Sequence, residues 1–418
     1  MAGRTVAVVG GGASGVLATR ELLRGGDRVA LIEPDEPGGG LAYGTARPWH
    51  LLNSRAGAMS ADPGDPGHFA RWAGCSTAEF RPRAEYGRYL RDVFGTLSGV
   101  EVIQERATGL SAHGVALESG REVRADEVVV ATGNPAAAQP AARPDHPDYI
   151  PDPWRPGVLD AIPSDVPVLL VGAGLTAIDV VLTLTADGRR DAPITAVSRR
   201  GQLPLAHTPL PAPPFAPPLD ARHTLRDLVR IVRAEAEKAG DWRAVVDGLR
   251  PNIDQIWGSL TNEEQEQFLR HLARPWECHR HRMAPSVGAT IDALREEGRF
   301  EVRAGGIRSM TAPPPGGLLV ELEAGVQWFG AVVNCAGPGR LPAAAGSFAG
   351  SLLDAGHARV GPHGLGLDID PDGRLIGADG KAREGLWLIG PLRRGAQWET
   401  TAVPEIRAQA HALIDRCK

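Results

Sequence analysis

Along the chain, short apolar runs alternate with helically spaced apolar stripes, and this alternation begins twice. Thr5-Val6-Ala7-Val8-Val9 is rich in β-branched residues and too short for a helix, which predicts a buried parallel strand. It enters Gly10-Gly11-Gly12-Ala13-Ser14-Gly15, then a helical stripe from Val16 to Leu23, then a second apolar run, Arg28 to Ile32, that ends on Glu33. Strands are predicted at 100–103, 114–118 and 127–131, the last closing on Thr132-Gly133-Asn134-Pro135, with an amphipathic helix at 86–94. From 135 to 167 proline and alanine dominate, a composition unsuited to a sheet interior or a regular helix, so this stretch is a linker or an extended cover.

The opening pattern then returns. Residues 166–171 predict a strand, Gly172-Ala173-Gly174-Leu175-Thr176-Ala177-Ile178-Asp179 a second glycine turn leading into a helix to about Thr185, and 194–197 the next strand. That strand ends on Ser198-Arg199-Arg200 instead of an acid. After a proline-rich bridge, 203–218, residues 219–282 break the rhythm with helical stripes at 225–232 and 264–272, and Thr261 precedes Glu264 at capping-box spacing. The rhythm resumes with a helix at 286–297 and strands at 300–303, 318–321 and 331–335. The last of these closes on Ala336-Gly337-Pro338-Gly339, an echo of Ala131-Thr132-Gly133. A terminal helix is expected from Val403 to about Cys417. The fold class expected is α/β, with two Rossmann-like dinucleotide-binding domains and a helical insertion in the second. Residues 1–163 and a return segment, 336–418, would form the first domain; 164–335 would form the second, with the insertion at about 203–282.

Each part of the opening unit has a physical job. Gly10 permits the tight turn, Gly12 lets backbone approach a pyrophosphate, and Gly15 lets the helix sit close to the strand. The helix N-terminus, starting at Ala13 and Ser14, offers unpaired N–H groups and a partial positive charge. Glu33 stands where a carboxylate can accept hydrogen bonds from a ribose diol. In the second unit Gly172, Gly174 and Ala177 take the three small positions, with Leu175 and Thr176 between the last two. The basic end, Ser198-Arg199-Arg200, suits a ribose 2′-phosphate, which favours NADPH over NADH; solvated surface charge is the competing explanation for the arginines.

Charge and cysteine content narrow the function. A net charge of −5 and a pI near 6.2 give no support for nucleic-acid or anionic-membrane binding. Cys75, Cys278, Cys335 and Cys417 form no C-x-x-C pair, which argues against a redox dithiol, an iron–sulfur relay or a zinc site. No apolar run approaches the roughly 18 residues that span a bilayer, and with the first strand starting at residue five no signal peptide is expected. A cytoplasmic, reduced setting is expected.

The finer signatures are Ala42-Tyr43-Gly44-Thr45, His50-Leu51-Leu52-Asn53, Ala131-Thr132-Gly133-Asn134-Pro135, Gly174-Leu175-Thr176-Ala177-Ile178-Asp179, Val197-Ser198-Arg199-Arg200 and Trp398-Glu399-Thr400-Thr401-Ala402. With the two glycine turns, they resemble the two-dinucleotide-binding-domain flavoproteins, and within them a bacterial FAD/NAD(P)-binding family related to the N-hydroxylating and flavin-containing monooxygenases. The resemblance implies FAD at the first turn and the nicotinamide nucleotide at the second. It further implies that Gly390, Thr401, Ala402 and Val403 meet the flavin part of the cofactor, beside Thr132 and Gly133, and that Asn53 and Met59 cross near the isoalloxazine, Asn53 being the one candidate catalytic residue. Asn53 as a turn residue bonded to its own backbone is the alternative. The F-x-G-x-x-x-H-x-x-x-W/P fingerprint of flavin-containing and Baeyer–Villiger monooxygenases is absent, as is the ATGY strand end of many N-hydroxylases, where this chain has Asn134.

With NADPH and FAD on one chain and no thiol or cluster relay, dioxygen is the acceptor left by elimination. The expectation is a monooxygenase that oxygenates a small-molecule heteroatom through a C4a-(hydro)peroxyflavin, amine N-hydroxylation being favoured. Electron transfer to a quinone or another acceptor, and a non-catalytic flavin-binding role, remain open. In the insertion, Trp242, Trp257 and Trp276 could wall a substrate site or pack a core. Arg280 or Arg282 could bind a substrate carboxylate, or belong to a solvated basic loop.

Overall fold

In the computed structural model, residues 4–188, 190–219, 223–341 and 346–416 are described. Their contacts divide the chain into two units. The first comprises Met1–Pro48, Ser54–Ala136 and Gly339–Lys418; the second comprises Trp49–Asn53 and Ala137–Pro338.

The first unit is built on a six-stranded sheet in the order Arg374–Ile376, Ala382–Leu388, Glu127–Val130, Thr5–Val9, Arg28–Ile32, Val100–Ile103. All neighbours run parallel except the edge strand Arg374–Ile376. Thr5–Val9 lies in the middle because both of its faces are apolar. Val6 and Val8 point to one side, into a core with Ala18, Leu22 and Leu413 of the helices Ala13–Arg24 and Val403–Arg416. Ala7 and Val9 point to the other, into a core with Val115, Leu117, Phe348 and Leu352. An antiparallel meander, Ala107–Ser111, Gly114–Leu117 and Glu122–Arg124, is inserted before Glu127–Val130.

The second unit repeats this plan. Its sheet runs Phe300–Ala304, Ile194–Ser198, Val168–Val171, Ala331–Asn334, Tyr149–Ile150, all parallel, and again a three-stranded meander (residues 307–329) precedes the returning strand Ala331–Asn334. The proline-rich stretch belongs to this unit, so the first boundary falls at Ala136 instead of 163. The reason is local. Tyr149 and Ile150 are buried and pair along a single side with Ala331–Asn334, an edge position that flanking prolines tolerate. Asn334 Nδ2 donates to Ala138 O at 3.1 Å and to Pro151 O at 3.3 Å, fastening both ends of the segment.

Among the described residues of the insertion there are five α-helices, Leu225–Ala239, Trp242–Leu249, Ile253–Ser259, Asn262–His271 and Ala273–Arg280. The capping box is formed: Glu264 N–H donates to Thr261 Oγ1 at 3.2 Å and Thr261 N–H to Glu264 Oε2 at 3.0 Å. Trp49–Asn53 also joins the second unit. His50 is buried against the helix Leu175–Thr185, its Nε2 lying 2.9 Å from Thr183 Oγ1 and 3.1 Å from Asp179 O.

Candidate functional site: two glycine turns

The two turns have the same construction. Gly10 has φ +104°, and a Cβ there would stand 2.6 Å from Ala131 O; Gly172 has φ +115°, and its Cβ would stand 2.6 Å from Cys335 O. Gly10 N–H donates to Ile32 O at 2.9 Å, and Gly172 N–H to Val197 O at 2.8 Å. These two glycines are therefore required by the protein's own backbone. At the third small position the turns differ. A Cβ on Gly15 would overlap Gly10 O at 1.8 Å, whereas Ala177 is accommodated, fully buried, at the corresponding place.

The middle glycines are a different case. Gly12 and Gly174 have φ −68° and −86°, open to any residue. A Cβ on Gly12 would find nothing nearer than Gly40 Cα at 3.7 Å, and one on Gly174 would find no atom within 4 Å. Packing thus demands no glycine at either place, and each leaves a cradle that a side chain would fill. Both following helices begin without a side-chain cap, leaving their first N–H groups to an anion. The chain's residues therefore fit two dinucleotide phosphates.

Around the first turn, Glu33 Oε2 accepts Gly11 N–H at 2.5 Å and Oε1 accepts Asp35 N–H at 3.3 Å, fixing the carboxylate at the end of Arg28–Ile32. Thr132 is exposed, and Gly133 (φ +76°) has open space where a Cβ would be. Gly390 (φ +83°) passes the helix start, where a Cβ would stand 2.6 Å from Ser14 Oγ. A buried network fixes this return segment. Gly390 N–H donates to Gln409 Oε1 at 2.8 Å, Thr400 Oγ1 donates to Gly390 O at 2.8 Å, and Gln409 Nε2 donates to Thr400 Oγ1 at 2.9 Å. Thr401 is exposed beside it. Ala402 O accepts Ile406 N–H at 3.1 Å in the first turn of the helix that begins at Val403. Met59 is buried in the same unit, next to Ser60, whose carbonyl accepts Arg407 Nη1 at 2.7 Å. Asn53 falls in the second unit, its carbonyl 3.1 Å from His207 Nε2.

Around the second turn, Leu175 and Thr176 are partly exposed at the helix start, and Ser198 Oγ is buried with no hydrogen-bond partner among the described residues. Arg199 is exposed. Arg200 is committed elsewhere, donating from Nη1 to His271 O at 2.6 Å and from Nη2 to Arg270 O at 2.9 Å. Arg274, which no sequence pattern singled out, donates from Nη2 to Ala173 O within the glycine turn at 2.7 Å and also to Gln202 O.

The insertion's other candidates are occupied in packing. Arg282 is buried, ion-paired with Asp247 and 5.7 Å from the centroid of the Trp242 ring; burial holds its guanidinium below its ordinary value. Arg280 is also buried. Trp242 carries His279 edge-on at 4.6 Å, and buried Trp257 packs on Phe268 at 5.8 Å. Trp276 is half-buried, with its Nε1 enclosed. Burial pushes the Cys75, Cys278 and Cys335 thiols above their ordinary values, which keeps them as thiols at neutral pH.

Residues 7–135 match the FAD-NAD(P)-binding family model. A 64-residue stretch is 50% identical to a D-amino-acid oxidase of Bradyrhizobium diazoefficiens, covering 15% of this chain and 14% of that protein's length. Among solved structures, the FAD-bound cadaverine monooxygenase of Erwinia amylovora is similar over 99% of this chain and 94% of its own, with TM-score 0.69 and 15% identity. The Kutzneria sp. 744 ornithine N-hydroxylase with reduced FAD, NADP+ and L-ornithine is similar over 99% of each chain, with TM-score 0.68 and 15% identity. Lactococcus lactis thioredoxin reductase is similar over 99% of this chain and 97% of its own, with TM-score 0.54 and 13% identity. At these identities the likeness is one of fold. Among the described residues no helix is long and apolar enough to cross a membrane.

Proposed function

We propose that this chain, which carries an FAD-NAD(P)-binding domain over residues 7–135 and has the two-dinucleotide-binding-domain flavoprotein fold, is an NADPH-consuming, FAD-dependent monooxygenase acting on a small-molecule amine. The carrying observation is the pair of glycine turns whose middle residues, Gly12 and Gly174, are small for no reason internal to the protein. One turn ends its unit on Glu33 and the other on Ser198-Arg199-Arg200, so the two suit different nucleotides: a ribose diol at the first, a 2′-phosphate at the second.

When bound, the two cofactors supply transfer of an electron pair from nicotinamide to flavin and on to dioxygen, the chemistry of oxygen insertion. The chain's own residues do the holding. Gly10, Gly12, Gly15 and the N–H groups at Ala13 and Ser14 would hold the FAD pyrophosphate, and Glu33 the adenosine ribose. The Gly390–Thr400–Gln409 network fixes the return segment carrying Thr401, Ala402 and Val403. Gly172, Gly174, Leu175, Thr176 and Ala177 would hold the NADPH pyrophosphate, with Ser198 and Arg199 toward its ribose. Two similar folds belong to amine-oxygenating enzymes. A thiol–disulfide acceptor is disfavoured at Cys278 and Cys335, which are buried and held as thiols.

The test is a two-step reaction. The purified holoprotein is mixed anaerobically with NADPH, then given labelled dioxygen and a primary amine, with ornithine and cadaverine as first probes. Loss of the oxidised flavin colour in the first step, and one labelled oxygen atom in the amine product after the second, is the expected result. Flavin reduction without oxygenated product, together with turnover of quinones, would assign the chain to the reductases.

A further inference from the structure

We propose that Arg274, delivered by the helical insertion, sets the coenzyme preference of the second turn by binding the 2′-phosphate of NADPH. This rests on the reading of that turn as the nicotinamide-nucleotide site. Its basis is where one guanidinium sits. Arg274 Nη2 bridges Ala173 O, inside the glycine turn, and Gln202 O, in the loop after Ile194–Ser198. A cation is thereby held between the pyrophosphate-binding turn and the strand end that meets the adenosine ribose in a βαβ unit. Nε and Nη1 of Arg274 have no partner among the described residues, which leaves N–H donors of a fixed cation for a phosphate oxygen.

Two further observations agree. The Ser198 hydroxyl oxygen is buried at the same strand end with no partner among the described residues, a group that a phosphate or ribose oxygen would satisfy. Arg200, the cation that the strand end itself suggests, spends both terminal nitrogens on the Arg270 and His271 carbonyls. Those carbonyls close the helix Asn262–His271, three residues before Arg274. Arg200 thus acts as a positioning residue that anchors the segment carrying Arg274, and Arg199 and Arg274 are the cations left to meet the ligand.

The experiment is calorimetric titration of the FAD-loaded protein with 2′,5′-ADP and with 5′-AMP, which differ by the 2′-phosphate, for the wild type, Arg274→Ala and Arg274→Lys. Flavin content and the thermal midpoint serve as fold controls. Arg274→Ala should weaken 2′,5′-ADP about 10- to 100-fold, the range for losing charge-assisted hydrogen bonds, and 5′-AMP by less than about 3-fold. Arg274→Lys, which keeps the cation, should retain part of the preference. Equal losses for both ligands would make Arg274 a purely structural link, and unchanged binding of both would remove it from the site; either overturns the inference. Should the wild type bind neither ligand, the nucleotide reading of the second turn fails before any variant is considered. If Arg274→Ala does not fold, the lysine variant decides: a reduced preference for 2′,5′-ADP with intact 5′-AMP binding supports the inference, and undiminished discrimination overturns it.

Discussion

The first and second units solve the same steric problem with the same backbone, yet end on opposite charges. In both, the first glycine is forced by a positive φ and a carbonyl at 2.6 Å, and in both the middle glycine is forced by nothing in the chain. They diverge where a nucleotide's individuality begins. Glu33 is held by Gly11 N–H in one, while Arg274 bonds the turn of the other and Arg199 follows the strand Ile194–Ser198. On the proposed reading, the shared parts would bind what all dinucleotides have in common, and the divergent parts would choose among them.

The sharpest way to break this comparison is to change the third small residue. Gly15→Ala puts a Cβ 1.8 Å from Gly10 O, so the helix must move. We expect a loss of stability at the upper end of the roughly 1–3 kcal/mol of an overpacked core, and colourless protein, measured by thermal unfolding and flavin absorbance. Ala177→Gly in the second unit should cost only about 1 kcal/mol and keep both cofactors. Second in size are the middle glycines. Gly12→Val should fold and lose FAD, and Gly174→Val should fold, keep FAD and lose NADP+, both read by calorimetry on the purified variants. Loss of both cofactors from either variant would show that the turns are not independent. A smaller effect is expected from Arg199→Ala, about 10-fold on NADP+ and little on NAD+. The smallest is Thr261→Ala, which removes a cap from the helix whose last carbonyls hold Arg200. It should lower stability by about 1 kcal/mol in denaturant titration and leave NADP+ affinity unchanged.

Both glycine turns, the strand order within a βαβ unit, the insertion and its capping box were legible in the chain, because each is a local requirement. A positive φ selects glycine, a doubly buried strand selects β-branched residues, and a helix start selects Thr261 with Glu264. What escaped was set by contacts distant in sequence. Tyr149–Ile150 becomes an edge strand through pairing with residues 332 and 333, which proline-rich composition does not announce. Trp49–Asn53 sits in the second unit because His50 finds Thr183 and Asp179 O, over a hundred residues on. Arg274 reaches Ala173 across a separation of 101 residues, and no periodicity distinguishes it from the arginines around it. Arg282 read as a candidate carboxylate ligand because Asp247, its partner, is 35 residues away.

The central claim is that two different nucleotides are held at once, one by each turn. Equilibrium dialysis of the FAD-loaded protein against NADP+ tests it most directly. One FAD and one NADP+ per chain, with no flavin released as NADP+ saturates, is the predicted result. A chain that takes up no flavin, or one in which NADP+ displaces FAD mole for mole, would contradict it.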